Sequence, residues 1–414
     1  MKPYRTLLLL LLVLAAAVSS CVYDFNPDLS GEEGYLVVDG DIVLGEISSF
    51  TIQRSSRLDS WDAASVSVSR LTVEASDGTT YEGSGRNGYM QVDLRTADPS
   101  LQYRLVLEAR MSSAADPGES PIRRYVSSWS ALIEPAALDS LSYSINEDRT
   151  ELAIQVSTHS AEQTGYYRWA AEETWEYTSD RFAAYYFLPA GSLYRGQPVA
   201  QDTVAAYENG ENLFYCWTSQ TKSQLMTGTT ETLAEDRLVN HQMFTLSYSD
   251  WRVSYVYAVD IRQTRISEEA YRYWETLMRN TTDVGGLFSP EPTELRGNVV
   301  NEADEQELVL GYVSVVKAVT GRLFFDNRVH KFYKDMSRSA VEPIVPEKRS
   351  EWIEYYQAGY VPTTFKDPDD SGGDIPTVVY GVNDEYYWMP VRCVDCRYKG
   401  GTKNKPAWWP TPET

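Results

Sequence analysis

Alternating apolar and polar residues run through most of the chain between Tyr35 and Leu132. This period of two places every second side chain on the same face, as in a half-buried β-strand. Asp77-Gly78 and Asn87-Gly88 lie between such runs and favour tight hairpin turns, since both dipeptides readily adopt positive φ. The pattern predicts an antiparallel β-sandwich over residues 35–134. The clearest strands are Tyr35–Asp39, Phe50–Gln53, Val66–Val73, Met90–Leu94 and Leu101–Leu107.

Strand-like runs continue beyond Glu134-Pro135 and predict a second, β-rich domain over residues 135–414. The fold class that we expect is therefore mainly β, with two antiparallel β-sandwich domains of immunoglobulin-like type. The predicted strands of the second domain are Leu141–Ile145, Leu152–Val156, Tyr166–Tyr177, Leu213–Trp217, Phe244–Tyr248, Val253–Ile261, Leu308–Val316 and Leu323–Phe325.

One helix is predicted as an insertion in the second domain, near residues 267–280. Ser267 is suited to cap it, and Glu268 and Glu269 follow in the first turn, where the helix dipole favours anions. A loop rich in glycine and proline follows at 283–292. The chain then ends in an irregular aromatic tail.

The first twenty residues are typical of a signal peptide. Lys2 and Arg5 precede an unbroken apolar run, and Ser19 and Ser20 lead to Cys21. The run is too short to cross a bilayer, and the small residues before the cysteine form a lipobox. The sequence predicts a signal peptide over 1–20, a lipid on Cys21 that anchors the protein to the outer membrane of the cell envelope, and a tether over 21–34. Either face of that membrane is compatible with the sequence.

The net charge restricts the partners. The chain carries a formal charge of −22 at pH 7, and no basic cluster offsets it. Such a surface repels nucleic acid and anionic lipid head groups, so we exclude both as partners.

Three cysteines remain after the lipid site: Cys216, Cys393 and Cys396. In an oxidising envelope they allow one disulfide, with three pairings open. Cys393 and Cys396 also have the spacing of a redox centre or of half a zinc site. A structural disulfide is favoured because no second such pair completes a zinc site and the spacing does not open a helix in a βαβ unit.

The sequence offers no catalytic, cofactor or metal motif. A nucleophile elbow, a zinc-protease helix, a phosphate loop and a dinucleotide fingerprint are all missing, and only His159, His241 and His330 are available as histidine bases. Residues 367–374 resemble a calcium loop, but Val378 occupies the place of the bidentate glutamate. We therefore predict a protein that is not an enzyme and holds no cofactor or metal.

Carboxylate pairs provide the alternative prediction, a hydrolase that acts on glycans. Glu172 with Glu176, and Asp39 with Asp41, have a composition compatible with acid/base catalysis. With 59 acidic residues in the chain, such pairs also arise without function.

Aromatic residues are abundant, with 30 tyrosines and 11 tryptophans. Aromatic faces stack on sugar rings while their polar atoms stay hydrated, so the clustered rings are candidates for contact with a glycan or a protein. Filling of the core is the other interpretation. The candidate contact residues are Trp169, Trp175, Tyr177, Tyr186 and Trp217.

The order of several short motifs resembles a family of Bacteroidetes lipoproteins, domain of unknown function 4249 (DUF4249). The motifs cover nearly the whole chain, and we expect membership from their order. They are the lipobox, Leu36–Ile42, Cys216–Ser219, Glu231–Arg237, Tyr271–Trp274, Gly286–Pro292, Gly297-Asn298, Leu310–Ser314, Cys393–Arg397, Gly400–Thr402 and Lys405–Trp408.

The resemblance implies an envelope lipoprotein, often found beside TonB-dependent outer-membrane receptors, and provides no catalytic residues. We therefore expect a non-enzymatic accessory or binding protein of outer-membrane uptake, with a TonB-dependent receptor or a glycan as its partner. Aromatic residues of the second domain and the loop 283–292 are expected to make the contact. A structural surface protein or adhesin is a further alternative.

Overall fold

The structure is a computed structural model that describes residues 34–55, 65–112, 121–183, 185–207, 213–282, 295–333, 341, 343–363 and 386–410. The predicted signal peptide, Cys21, the loop 283–292 and the acidic loop 367–374 lie outside these residues, as does the predicted tether except for Gly34.

About half of the described residues lie in strands, which confirms the mainly β fold that the alternating sequence predicts. The strands before Glu134 are β1 Leu36–Asp39, β2 Ile42–Val43, β3 Ile47–Arg54, β4 Ser65–Ala75, β5 Thr80–Arg86, β6 Tyr89–Asp93, β7 Gln102–Ser112, β8 Arg123–Ser127 and β9 Ser130–Ala131. They are followed by β10 Ala137–Ile145, β11 Glu151–His159, β12 Tyr166–Thr178, β13 Tyr185–Leu188, β14 Leu193–Tyr194, β15 Gln197–Pro198, β16 Thr203–Ala206, β17 Tyr215–Thr221, β18 Met226–Thr229, β19 Arg237–Ser247 and β20 Val256–Arg265. The last are β21 Val299–Asn301, β22 Val309–Leu310, β23 Val315–Val316, β24 Ala318–Asp326, β25 Tyr360–Thr363 and β26 Tyr387–Pro390.

The helices are few and short, apart from one. The predicted helix is α1, Glu268–Thr282, and the Ser267 hydroxyl accepts a hydrogen bond from the Ala270 amide at 3.1 Å, as a capping residue does. The other α-helices are α2 Asn327–His330, α3 Trp352–Gln357 and α4 Val391–Val394. Single 3-10 turns occur at Trp251–Val253, Arg349–Glu351 and Cys396–Lys399.

The N-terminal strands form one ten-stranded sheet that is nearly closed into a barrel. Its order is β21-β8-β7-β4-β5-β6-β3-β1-β22, with β9 on β7. The two end strands, β21 and β22, come from residues 299–310, far beyond the predicted boundary at residue 134. Their inward side chains, such as Val299 and Val309, enter the same core as Leu36 and Phe50.

Two antiparallel sheets face each other in the next part of the chain. The three-stranded sheet has the order β10-β11-β19, and the five-stranded sheet has the order β17-β12-β20-β24 with β18 on β12. Alternate residues of β11, β12 and β20 fill the core between them, including Ile154, Trp169 and Ile261. The outer face of the five-stranded sheet remains for other contacts.

The junction of the barrel and this pair of sheets is buried and charged. Asp41 of the barrel forms an ion pair with Arg168 of β12, and its other carboxylate oxygen accepts the Ser314 amide at 3.2 Å. The Arg168 guanidinium also lies 4.9 Å from the centre of the Trp274 ring of α1. The helix thus packs where the two parts of the fold meet.

The C-terminal residues return to the five-stranded sheet. Thr402 forms a two-way backbone bridge with Trp217 of β17, both N···O distances being 2.9 Å. Trp409 is then buried against Val256 and Ala258 of β20. The tail therefore covers one half of the sheet's outer face.

Candidate functional site

The other half of that outer face is a concave surface with a central row of polar side chains, which we call the sheet trough. It has a cavity volume of about 610 Å³ and is lined by Ala170, Ala171, Glu172, Thr221, Asp260, Ile261, Arg262, Thr320, Gly321 and Arg322. Pockets of roughly 300–1000 Å³ are typical of sites for small ligands.

Strand register creates the polar row at the centre of the trough. Glu172 of β12 lies opposite Thr221 of β17 on one side and Asp260 of β20 on the other. Asp260 in turn lies opposite Arg322 of β24. Because directly opposed residues project from the same face, one row of four polar side chains crosses four strands.

Small side chains lie at both ends of the neighbouring row, with the longer Arg262 between them. Ala170 lies opposite Arg262, which lies opposite Thr320. The methyl and hydroxyl groups leave space beside the longer charged side chains of the central row. A ligand can therefore approach the sheet closely at this place.

Two ion pairs fix the charged groups of the trough. Arg322 donates to both carboxylate oxygens of Asp260, at 2.5 and 2.8 Å. Arg262 donates to Glu46 of the barrel at 2.8 Å. Glu172 is exposed and forms no ion pair with the described residues. The trough thus presents paired donors and acceptors and a single unpaired carboxylate.

The C-terminal tail forms an aromatic border beside Arg322. The Arg322 guanidinium carbon lies 3.4 Å from the centre of the Trp408 ring. Trp408 and the adjacent Phe324 are 38% and 36% exposed. An aromatic edge therefore lies next to the polar row.

Three of the five predicted contact residues are core residues. Trp169, Trp175 and Tyr177 are at most 4% exposed, since they point from β12 between the two sheets. A ligand cannot stack on them while the sheets are packed, so their role is to fill the core. Every second residue of β12 faces the core, and these three residues lie at such positions.

The other two predicted contact residues are half-buried and lie apart. Tyr186 of β13 packs against Tyr207 with ring centres 4.9 Å apart. Trp217 of β17 is on the outer face of the sheet, next to Trp409. Only Trp217 therefore shares a face with the trough, and the tail lies over its part of that face.

The disulfide joins Cys216 to Cys396, with a Cα–Cα distance of 5.7 Å. Cys393 is buried and lies outside this bond. The sequence favours a structural disulfide over a redox or zinc site. The observed pairing links β17 to the C-terminal segment. Both bonded cysteines are fully buried.

The predicted carboxylate pairs do not converge. Glu172 and Glu176 are four residues apart on one strand, so their Cα atoms are separated by roughly 13 Å. Glycosidase carboxyl groups lie about 5–9.5 Å apart. Asp41 is engaged by Arg168, whereas Asp39 is exposed. Burial raises the pKa of Glu176, which lies beneath the tail.

A different carboxylate pair is closer. Glu172 and Asp260 are cross-strand partners, and the Cβ atoms of such partners are about 4.5–5.5 Å apart. From Cβ atoms this close, the two carboxyl groups can reach the separation of about 5–5.5 Å that a retaining glycosidase requires. Both oxygens of Asp260 nevertheless bind Arg322, which lowers its nucleophilicity. Sequence spacing alone cannot reveal this pair, because 88 residues separate its members and only the register aligns them.

Two buried carboxylates have structural partners. Glu173 accepts hydrogen bonds from Tyr257 at 2.7 Å and Arg252 at 2.9 Å. Asp236 accepts hydrogen bonds from Tyr167 at 2.7 Å and Thr230 at 2.9 Å. These contacts satisfy the buried charges and hold the edges of the sheets together.

The histidines are dispersed, and the described residues contain no cluster of three metal-ligating side chains. His241 stacks on Trp169 with ring centres 5.3 Å apart, and burial lowers its pKa. His330 hydrogen-bonds the Tyr143 hydroxyl at 2.7 Å, and His159 contacts Asp139 at 2.7 Å. Each has a local packing or surface contact.

A second cavity, of about 1140 Å³, opens at the rim of the barrel. Its charged lining is largely neutralised, because Arg123 pairs with Glu307 and Arg124 with Glu302. Gly34 and Pro121, which line it, each adjoin a segment outside the described residues. We take the sheet trough as the candidate site because none of its lining residues adjoins such a segment.

Fold and site together define a mainly β, multi-sheet protein with a polar surface trough. Within the part of the chain that the structure describes, none of the helices has the length and apolar character needed to cross a membrane. The family described as domain of unknown function (DUF4249) matches residues 22–322, and the chain belongs to this family. That range includes Thr221, Glu172, Asp260 and Arg322 of the trough. None of the curated proteins matches the chain.

Proposed function

We propose that the protein is a non-enzymatic lipoprotein of the outer membrane that binds a nutrient or a receptor partner for TonB-dependent uptake. The lipobox at Cys21 supports the anchor, and the sheet trough supports the binding role. The trough is the main support for the proposal, because it is a concave surface with prearranged polar groups and an aromatic edge. Immunoglobulin-like topology for the two sheet systems stays a prediction.

The junction of the fold supports an accessory role. A buried ion pair and α1 connect the barrel, which adjoins the N-terminal tether, to the sheets that carry the trough. Such a joint holds the trough in a defined orientation relative to the barrel. A partner in the same membrane would therefore meet a preorganised surface.

Purification of the tagged lipoprotein from its native membrane in mild detergent tests this proposal. We expect mass spectrometry to recover a TonB-dependent receptor in stoichiometric amount. A Cys21→Ser variant should lose both metabolic labelling with palmitate and the co-purified receptor. Recovery of the lipoprotein alone would contradict the receptor association.

The close Glu172–Asp260 pair supports one rival, a carboxylate-based glycan hydrolase. If the protein is a hydrolase, it should turn over glycan, and this turnover should disappear in both the Glu172→Gln and the Asp260→Asn variant. The accessory role predicts no turnover by the unsubstituted protein. An adhesin, the other rival, would bind a surface without need of the trough residues.

A further inference from the structure

The size and shape of the sheet trough limit its ligand. A volume of about 610 Å³ lies within the range that holds a ligand of drug size. The floor is low at Ala170 and Thr320, and the Arg262 side chain between them extends to Glu46 of the barrel. An extended, relatively flat molecule fits this floor better than a bulky one.

The charges of the trough disfavour an anionic ligand. Arg322 is paired with Asp260, and Arg262 with Glu46, so neither guanidinium is left to attract an anion. Glu172 adds one carboxylate, which disfavours anions further. Each ion pair still places hydrogen-bond donors beside acceptors. The hydroxyl groups of Thr221 and Thr320 can each both donate and accept a hydrogen bond.

A polyhydroxylated ligand matches this arrangement, because each of its hydroxyl groups both donates and accepts. Charge-assisted hydrogen bonds to Glu172, Asp260 and Arg322 would be stronger than neutral ones. The apolar C–H face of a sugar ring would contact the aromatic border at Trp408 and Phe324.

We propose that the sheet trough binds a short neutral oligosaccharide, held by the row Thr221, Glu172, Asp260 and Arg322. This inference rests on the proposed binding role and adds the chemical class of the ligand. Glu172 is the direct probe of the site, because it is exposed and unpaired among the described residues, so its substitution leaves the packing intact.

Titration calorimetry against neutral trisaccharides of glucose, mannose, galactose, xylose and N-acetylglucosamine tests the proposal. We expect at least one to bind, and Glu172→Gln to weaken it by about tenfold or more, since it removes a charged hydrogen-bond acceptor. Arg322→Lys should weaken it similarly, because lysine cannot keep the bidentate contact with Asp260. Glu162→Gln, an exposed position outside the trough, is the matched control and should bind like the unsubstituted protein.

Binding of none of the trisaccharides would overturn the ligand class. Binding that persists unchanged in both trough variants would place the site elsewhere and would also overturn the proposal. If no sugar binds but the receptor still co-purifies, the oligosaccharide inference fails and the accessory role stands. If a sugar binds but no receptor co-purifies, the oligosaccharide inference stands and the accessory role fails.

Discussion

Removal of the Cys216–Cys396 disulfide should strongly destabilise the C-terminal part of the fold. The two cysteines are separated by 180 residues, so the bond closes a long loop in the unfolded chain. Loop-closure entropy for that length corresponds to about 5 kcal/mol at 25 °C. This is a large share of the roughly 5–15 kcal/mol by which folded proteins are stable. The bond also lies beside the Thr402 bridge, so its loss should release the tail from the sheet.

Urea unfolding of a Cys216→Ala, Cys396→Ala double variant measures the change in unfolding free energy. Trypsin cleavage after Lys399 and Lys403 provides a second readout, and both cleavages should become faster. Cys393→Ala is the control, and it should cost much less because that cysteine is outside the bond. A double variant within about 1 kcal/mol of the unsubstituted protein would refute this reasoning. Non-reducing peptide mapping that finds Cys393 in the bond would also refute it.

Three further substitutions test the electrostatics. Asp41→Asn leaves Arg168 without its carboxylate partner and should cost about 1.5–3 kcal/mol in urea unfolding; a negligible loss would show that the junction does not depend on this pair. Burial raises the pKa of Glu176, so folding becomes less favourable as pH rises above the ordinary value of 4.5. Glu176→Gln should therefore raise the melting temperature at pH 7, and Glu162→Gln should not; a lower melting temperature would contradict the desolvation argument. Burial lowers the pKa of His241, so stability should fall as pH drops below 6.5, where the unfolded histidine takes up a proton. His241→Gln should reduce the loss of unfolding free energy between pH 7.5 and 5.5, and an unchanged loss would exclude His241 as its source.

Local pattern was sufficient for elements such as β12 and α1, but the predicted strand Leu308–Val316 was wrong, because β22 and β23 are separate strands in different sheets. The alternation in β12 and the cap at Ser267 are properties of neighbouring residues, so the strand and the helix could be predicted closely. The addition of β21 and β22 to the barrel depends on pairing between segments far apart in the chain. Nothing in their short local sequences specifies that partner.

The candidate site shows the same division. The aromatic content predicted Trp169, Trp175 and Tyr177 as contact residues, but the alternation of side chains along β12 buries all three. The trough instead consists of ordinary polar residues from four strands, aligned by register. Only Glu172 among its central row belonged to a pair considered from sequence, and its nearest carboxylate is Asp260 rather than Glu176.

Site-specific photo-crosslinking in the native membrane tests the role of the trough most directly. A benzophenone amino acid at Thr221 or Thr320 would lie within the trough, and one at Glu162 or Asp148 would lie on exposed loops outside it. We expect a crosslinked adduct, with glycan or receptor, from the two trough positions and none from the two loop positions. Adducts from the loop positions alone would contradict the assignment of the trough as the contact surface.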